Sequence, residues 1–365
     1  MRALHVAAGN LYGGVERILV EIARARTAAW RHEFALCFEG RLLGELQDAR
    51  TTSHLLGPVR FSRPTTIWRA RRRLRQLWAD GRFDALVCHS PWAFALAAPA
   101  APGRRILWAH DALRGSHWTE RRAARTIPDL VVCNSRYTAD AVAGWLVNAP
   151  LEIVYAPVSP GIVPASARHD VRRELGVKDG TTVIVIACRF ERWKGHRELL
   201  HAASALRGDW VVWVVGGAQR PHEAELEREL RTLVEQRRIG DRVRFLGERR
   251  DVPWLLRGAD IHCQPNIEPE PFGVAFVEAL YAGLPVVTSD AGGAREIVTE
   301  TCGVLVPPGD VSLLQSALQS LIDDPGRRTA FGSVGPSRAH ALSNPVAQIA
   351  ALERVLTPHA AVALA

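Results

Sequence analysis

The sequence predicts an α/β protein with two Rossmann-like domains, each built on a doubly wound parallel sheet. Short apolar strands alternate with helical patterns along nearly the whole chain, as they do in parallel sheets whose strands are joined by helices. The alternation restarts after a proline-rich stretch at residues 157–164, and 365 residues exceed the usual size of one hydrophobic core. We therefore expect one domain over residues 1–158 and a second over residues 159–342.

The first half begins with an apolar strand at residues 4–8, a glycine-containing turn and a helix over about residues 15–26. Helical patterns separate most of the apolar runs that follow. These runs predict further strands at residues 34–38, 85–88, 105–108, 130–133 and 153–155.

The second half repeats this pattern. A short helix is expected at residues 170–175, and a longer one ends at about residue 206. A last helix, at about residues 343–357, is a candidate to pack back on the first domain. Ligands bind beyond the carboxyl ends of parallel strands, so the predicted active site is a cleft between the domains. Strands are expected at residues 182–187, 210–215, 243–246, 260–263, 285–288 and 303–306.

Composition favours a cytoplasmic protein. The first residues are typical of a strand rather than a signal peptide, and the longest apolar stretch, residues 91–102, is too short to span a bilayer. The six cysteines form no CxxC pair, and four lie in or at the end of apolar runs, which indicates buried thiols in a reducing compartment. Residues 1–150 hold 22 arginines, no lysine and 12 acidic residues, so the positive surplus lies in the first half.

Two carboxylates, Glu270 and Glu278, stand eight residues apart around a predicted helix start. Glu270 falls in the loop before the helix and Glu278 falls inside it. A helix N-terminus offers free N–H groups and a partial positive charge, which suit a phosphate. Carboxylates on either side of that phosphate could hold hydroxyl groups. The pattern therefore predicts a nucleotide-sugar site, although Glu268 competes with Glu270 for the role in the loop.

Arg189 and Lys194 follow a predicted strand and precede a helix, where positive groups can reach a diphosphate. The alternative is a solvated basic turn that includes Arg192. The chain has only two lysines, Lys178 and Lys194, and the position of one of them at this turn favours a phosphate site.

With these motifs in order, the chain resembles the family 4 glycosyltransferases of the GT-B fold. The resemblance covers nearly the whole chain. It implies a metal-independent, retaining hexosyltransferase with no cofactor, which moves a sugar from a UDP- or GDP-sugar to a glycan, lipid-linked or small-molecule acceptor. The motifs that carry it are GGVE at 13–16, ACRFERWKGHRELLHAA around Arg189 and Lys194, VRFLGERRD at 243–251, EPFGVAFVEALYAGLPVV with its Glu-x7-Glu spacing, and GVLVPPGD at 303–310.

The resemblance also implies roles in the second half. Arg189 and Lys194 would neutralise the departing nucleoside diphosphate, Glu270 would contact the donor sugar, and Glu278 would bind both ribose hydroxyls. Backbone groups would complete the donor site. Those around the phosphate belong to Gly273, Val274 and Ala275, and those around the base to Leu246 and Gly247.

The first half holds weaker candidates. His110 closes a predicted strand and resembles the family histidine that contacts the donor sugar, but a structural histidine is the alternative and His89 competes with it. Gly13 and Gly14 could let the backbone approach the donor or the acceptor, or they could form an ordinary strand–helix turn. Asn10 and His89 complete the candidate acceptor site.

A basic helix at residues 66–78 places Ile67, Leu74, Leu77 and Trp78 on one face and arginines elsewhere. Such a helix could rest on an anionic membrane that carries a lipid acceptor, so peripheral contact at the inner face of the membrane is one expectation. A surface helix packed by its apolar stripe is the other.

Missing motifs narrow the function. The chain has no Asp-x-Asp, HExxH or GxSxG motif, no GxGxxG after the first strand and no nucleic-acid motif. No metal site or nucleic-acid partner is therefore expected. No nucleophile is evident for a double displacement, so a front-face reaction is the working hypothesis. A nucleotide-sugar epimerase of the same fold and a non-catalytic nucleotide-sugar-binding protein remain as alternatives.

Overall fold

A computed structural model describes residues 1–357. Contacts divide the chain into two compact units. The N-terminal unit comprises Met1–Val158 together with the segment that starts at Ser343, and the C-terminal unit comprises Ser159–Leu342. Each unit has its own parallel sheet, as the alternation of strands and helices predicts.

The N-terminal unit has a seven-stranded sheet in the order β3-β2-β1-β4-β5-β6-β7, with all pairs parallel. In chain order its elements are β1 (Arg2–Ala7), α1 (Gly14–Arg24), β2 (Arg31–Leu36), α2 (Arg41–Asp48), β3 (Ser53–Leu55), α3 (Pro64–Gly81), β4 (Ala85–Cys88), α4 (Pro91–Ala97), β5 (Arg104–Ala109), α5 (Trp118–Ala123), β6 (Leu130–Cys133), α6 (Arg136–Ala143) and β7 (Leu151–Ile153).

The strand predictions hold best where the runs are fully apolar. β4 and β6 have the predicted bounds, whereas β2 starts three residues earlier and β7 ends two residues earlier than expected. β3 was not predicted, because it is a three-residue edge strand with a polar sequence and no buried position. One face of the sheet carries the main apolar cluster, which includes Leu4, Leu86, Leu107 and Val131.

The C-terminal unit has a six-stranded sheet in the order β10-β9-β8-β11-β12-β13, also parallel throughout. Its elements are α7 (Ala167–Glu174), β8 (Thr182–Ala187), α8 (His196–Ala203), β9 (Trp210–Val215), α9 (Pro221–Gln236), β10 (Val243–Gly247), α10 (Val252–Gly258), β11 (Ile261–Gln264), α11 (Val274–Tyr281), β12 (Val286–Ser289), α12 (Ala294–Ile297), β13 (Gly303–Val306), α13 (Val311–Asp323) and α14 (Pro325–Ser343).

The last helix, α15 (Pro345–Leu356), belongs to the N-terminal unit. Asn344 caps its start by accepting a hydrogen bond from the backbone N–H of Ala347 at 3.0 Å. At its end, Nη1 of Arg104 donates to the carbonyls of Val355 and Leu356, each at 2.8 Å. α15 is therefore held at the start of β5 through C-terminal carbonyls that have no intrahelical donor.

The basic helix α3 uses its apolar stripe for packing. Ala70, Leu74 and Trp78 are buried, Ile67 and Leu77 are half-buried, and most of the arginines face solvent. Within residues 1–357, no helix has both the length and the apolar character to cross a membrane.

Candidate active site

The candidate site lies where the sheet of the C-terminal unit reverses its strand order. β8 and β11 are neighbours there, and the chain continues from β8 to one side of the sheet and from β11 to the other. Parallel sheets bind ligands at such switch points, beyond the carboxyl ends of the strands. The loop after β8 carries Arg189 and Lys194, and the loop after β11 carries Asn266 and Glu270.

The two loops meet at the carboxylate of Glu270, which is only 8% exposed. Nζ of Lys194 lies 2.7 Å from Oε2 of Glu270. Nδ2 of Asn266 and Nε2 of Gln264 donate to the same oxygen, at 2.8 Å and 3.1 Å. A buried carboxylate needs a charge partner and hydrogen bonds. Here one oxygen receives both, so the carboxylate is held in one orientation.

Close backbone contacts fix the loops around this ion pair, including the loop after β12, which carries Gly292 and Gly293. Gly195 has φ +78°, and a Cβ on it would lie 1.9 Å from the carbonyl oxygen of Pro265. Gly292 has φ +64°, and a Cβ on it would lie 2.3 Å from the carbonyl oxygen of Glu270. The N–H of Gly293 donates to that oxygen at 2.7 Å. Side chains at Gly195 and Gly292 would push the loops apart.

Lys194 also lies against an aromatic ring. Its Nζ is 3.7 Å from the ring centroid of Trp193, which is within the range of a cation–π contact. The ring restricts the lysine head group on one side while Glu270 holds it on another.

Arg189 lies beside the same cluster. Its Nη2 is 2.7 Å from Oε1 of Glu191, and its Nη1 is 3.5 Å from Oε1 of the buried Glu223. The charges of this cluster also act on the thiol of Cys188. Burial raises its pKa to about 12, and Lys194, Glu191 and Arg189 all act on it electrostatically. The structure thus brings the two predicted phosphate ligands to one place.

The competing residues face solvent. Arg192 is exposed and pairs with Glu229, at 2.6 Å and 2.8 Å, so the solvated basic turn applies to Arg192 and not to Lys194. Glu268 is exposed, whereas Glu270 is buried in the cluster. Exposure to solvent therefore distinguishes Lys194 from Arg192 and Glu270 from Glu268.

The helix between the two predicted carboxylates is α11. It starts after Gly273, whose φ is +114° and where a Cβ would lie 2.3 Å from the ring of Phe276. Helix geometry leaves the N–H groups of Gly273, Val274 and Ala275 without intrahelical acceptors. Glu278 lies one turn further along and is half-buried. A helix start with a carboxylate one turn along is therefore present where the sequence predicts it, and its binding of a phosphate stays a prediction.

The expected base-binding turn ends β10. Gly247 has φ +68°, with no atom near the position of a Cβ, and its carbonyl accepts a hydrogen bond from the N–H of Gly216 at 2.9 Å. The pairing of β10 with β9 is irregular beside Leu246, between Phe245 and Gly247. The backbone of this turn therefore departs from the regular ladder.

In the N-terminal unit, the glycine of the β1–α1 loop that requires a left-handed conformation is Gly9. It has φ +87°, and a Cβ on it would lie 2.9 Å from the carbonyl oxygen of Phe38. Gly13 is extended, with φ −163°, and precedes α1 as its N-cap. Gly14 starts the helix and is exposed, as is Asn10. The proposed closeness of backbone to ligand at Gly13 and Gly14 stays a prediction.

His110 and His89 follow the neighbouring strands β5 and β4 and are both buried. Nδ1 of His89 lies 3.0 Å from Nε2 of His110. The carbonyl of His110 accepts a hydrogen bond from Nδ2 of Asn134 at 3.2 Å. Burial lowers the pKa of His110 to about 3, so its imidazole is neutral at physiological pH.

The sequence motifs did not identify Gln264, Asn266 and Trp193 as part of the cluster. One signal was available for the first two: both are polar residues at the end of a buried strand, where ligand residues of α/β sheets occur. Trp193 precedes the lysine directly, but only the three-dimensional structure shows that its ring covers Nζ.

Two family profiles match the chain. The Glycosyltransferase Family 4 profile covers residues 12–161, and the Glycosyl transferases group 1 profile covers residues 167–338. The phosphatidyl-myo-inositol mannosyltransferase of Mycobacterium leprae is 30% identical over 284 residues, which are 72% of this chain and 70% of that protein.

A GDP-mannose-dependent monoacylated alpha-(1-6)-phosphatidylinositol monomannoside mannosyltransferase of Corynebacterium glutamicum is 37% identical over 180 residues. The match covers 46% of this chain and 45% of that relative, so it spans less than half of the relative's length. Anabaena HepE, solved in complex with UDP-glucose, superposes with a TM-score of 0.87 at 24% identity, covering 98% of this chain and 99% of that one. This likeness confirms the GT-B fold.

Proposed function

The chain belongs to glycosyltransferase family 4, and from this premise we propose that it transfers a hexosyl group from a nucleoside-diphosphate sugar to an acceptor hydroxyl. The observation that carries the proposal is the convergence of Lys194, Gln264 and Asn266 on Oε2 of Glu270. It places a fixed negative group and a positive group side by side beyond the sheet. Sugar hydroxyls match the first and a diphosphate matches the second.

The donor would bind along the C-terminal unit. The diphosphate contacts Arg189, Lys194 and the N–H groups at the start of α11, and the ribose hydroxyls donate to Glu278. The three donors to Glu270 share Oε2, so Oε1 is the oxygen that accepts a sugar hydroxyl. The base lies against the turn at Leu246 and Gly247.

The reaction we propose retains the anomeric configuration and needs no metal ion. The bond between the anomeric carbon and the diphosphate oxygen breaks as the bond to the acceptor oxygen forms on the same face. The acceptor proton passes to the departing diphosphate oxygen. Arg189 and Lys194 stabilise the negative charge that builds there, and Glu270 stabilises the positive charge on the sugar ring.

GDP-mannose is the first donor to test, because the names of two relatives describe mannosyl transfer and one of them specifies GDP-mannose. UDP-glucose is the second. A thermal-shift screen of GDP-, UDP- and ADP-sugars identifies the donor by a rise in melting temperature. Turnover with and without acceptor then separates the alternatives. A transferase forms a glycosylated acceptor, an epimerase converts the donor without one, and a binding protein shows the thermal shift alone.

For the acceptor we propose a glycolipid, reached from the inner face of an anionic membrane by the N-terminal unit. The supporting feature is a groove of about 520 Å³ on α3 and α5. Trp68 and Trp118 line it and are 57% and 43% exposed. Arg71, Arg75 and Arg122 lie in the same groove. Exposed tryptophans flanked by arginines suit the interface between lipid headgroups and water.

A further inference from the structure

Four histidines form a continuous hydrogen-bonded row in the N-terminal unit, which ends at a glutamate of α15. The ring-to-ring distances are 2.9 Å from His32 to His5, 2.9 Å from His5 to His89, and 3.0 Å from His89 to His110. At the other end, Nε2 of His32 lies 3.3 Å from Oε1 of Glu353. All four imidazoles are buried, and Glu353 is 8% exposed.

The row crosses the sheet diagonally. The residue opposite His32 on β1 is Ala3, and His5 is two residues beyond it. The residue opposite His5 on β4 is Val87, and His89 is again two residues beyond. Alternate residues of a strand lie on the same face of a sheet, so each step keeps the next imidazole on the same face.

The last step repeats this offset. Cys88 pairs with Leu107, which places Trp108 opposite His89 and His110 two residues further along. Trp108 stacks on His110, with ring centroids 5.3 Å apart and planes 22° from parallel. The row therefore starts at α15 and runs along one face of the sheet. It ends at the carboxyl end of β5, where ligands of parallel sheets bind.

The same two ring atoms face each other, in the same order, at every ring contact of the row. Nε2 of each ring faces Nδ1 of the previous ring, and Nε2 of His32 faces the carboxylate. An ionised carboxylate can only accept, so Nε2 of His32 donates and its Nδ1 must accept from His5. A neutral imidazole has one donor and one acceptor, so the same choice passes along the row to His110.

We propose that Glu353 fixes the tautomer of His110 through this row, so that His110 carries its proton on Nε2 and presents Nδ1 as a hydrogen-bond acceptor. Nδ1 of His110 is buried and has no hydrogen-bond partner within residues 1–357. Glu353, His32, His5 and His89 are positioning residues in this account. Resting on the proposed function, the group that Nδ1 accepts from is a hydroxyl of the donor sugar.

Burial supports the neutral state that the row requires. It lowers the pKa of His5 and His89 well below the usual histidine value and lowers that of His32, where the Glu353 carboxylate opposes the shift. An extra proton anywhere in the row would turn one acceptor into a donor and break the order of the bonds.

The reverse order of tautomers is the only other arrangement that satisfies all three ring contacts. It puts the proton of each ring on Nδ1, and it leaves Nε2 of His32 as an acceptor that faces Glu353. That contact then needs a proton on the carboxyl group. The charge of Glu353 therefore selects one of the two orders, although three imidazoles separate it from His110.

The test uses the full-length protein labelled with ¹⁵N-histidine, without substrate. Long-range ¹H–¹⁵N spectra distinguish protonated from bare ring nitrogens, and single His→Phe variants assign the signals. We expect His110 as one Nε2–H tautomer. In Glu353→Met, which removes the acceptor, His110 should become a mixture of tautomers. In Glu353→Gln, whose neutral amide can either accept from Nε2 of His32 or donate to it, the tautomer of His110 should be mixed as well.

Thr27→Val is the matched control. Oγ1 of Thr27 contacts the same oxygen of Glu353 but lies outside the row, so its loss should leave the tautomer of His110 unchanged. An Nδ1–H tautomer in the unmodified protein overturns the proposal, even if the variants fail to fold. So does an unchanged His110 in a folded Glu353→Met protein.

Activity separates this proposal from the proposed function. If His110 accepts from the donor sugar, Glu353→Met should lower kcat/KM by roughly fivefold, the value of one hydrogen bond. A tautomer that changes without a change in kcat/KM would support the row and contradict the role of His110 toward the sugar.

Discussion

Lys194 and Glu270 form an ion pair of 2.7 Å in which both side chains are nearly buried, at 13% and 10% exposure. They come from loops 76 residues apart. Motif analysis predicts both as substrate ligands but does not predict that they bind each other. The pair is where the phosphate and sugar halves of the proposed donor site join.

Removing the lysine should destabilise the C-terminal unit. Lys194→Met leaves the buried carboxylate of Glu270 with hydrogen bonds but without its charge partner, which costs roughly 3–5 kcal/mol in comparable buried pairs. The double variant Lys194→Met, Glu270→Gln should recover part of that loss. The other lysine, the exposed Lys178, provides the control as Lys178→Met. The midpoint of urea unfolding measures this loss of stability. Equal midpoints for Lys194→Met and Lys178→Met would contradict a buried pair.

Glu278 should control nucleotide affinity rather than catalysis. Glu278→Ala removes the proposed acceptor for two ribose hydroxyls, and hydrogen bonds to a charged group are worth about 1.5–3 kcal/mol. We expect calorimetry to show roughly 10- to 100-fold weaker binding of GDP or UDP. Glu300→Ala, at an exposed position, should bind normally. Unchanged affinity in Glu278→Ala would disprove the ribose assignment.

Stability should fall as the pH drops below about 6.5. Burial lowers the pKa of His262 to about 4 and that of His196 to about 3, below the unfolded value of about 6.5. Between those values the unfolded chain binds protons that the folded chain does not. Each such histidine therefore costs about 1.4 kcal/mol of stability per pH unit as the pH falls.

His262 offers a clean variant for this effect, because neither of its ring nitrogens has a hydrogen-bond partner among the described residues. Between about pH 6.5 and about pH 5, the unfolding free energy of His262→Leu should fall less than that of the unmodified protein. The difference is the contribution of the one proton that His262 takes up on unfolding. His222→Leu, at an exposed position, should keep the full loss. Identical pH dependence in the two variants would show that His262 takes up no proton on unfolding.

Binding to anionic vesicles should depend on the exposed tryptophan of α3. Trp68→Ser removes an interfacial side chain from the arginine-lined groove, so sedimentation with phosphatidylglycerol vesicles should weaken severalfold. Val147→Ser changes an apolar residue of the same unit that is 78% exposed and should have no effect. Absence of binding by the unmodified protein would reject the membrane proposal.

The sequence predicted the strands that are continuous apolar runs, and with them the fold class. β8, β9 and β13 have the predicted bounds because apolar residues fill each of them between polar or glycine-containing turns. The three-residue β3 could not be predicted, because its pairing with β2 gives it an extended conformation that its own sequence does not favour.

Side-chain partners were less predictable than positions. Lys194 and Glu270 could be placed on loops of the second half, but their contact depends on β8 and β11 being neighbours in the sheet. The histidine row was also beyond motif analysis. His5 and His89 are 84 residues apart in the chain, and only the register of β1 with β4 brings their rings together.

The most direct test of the central claim measures transfer and nucleotide binding on one preparation of Glu270→Gln. The substitution keeps the size of the side chain and removes its charge. We predict that kcat for hexosyl transfer falls roughly 10²- to 10³-fold, as when a single electrostatic contact to a transition state is lost, while GDP or UDP affinity changes little. Glu268→Gln, at the exposed neighbour, should transfer normally. Transfer at the unmodified rate in Glu270→Gln would contradict the account.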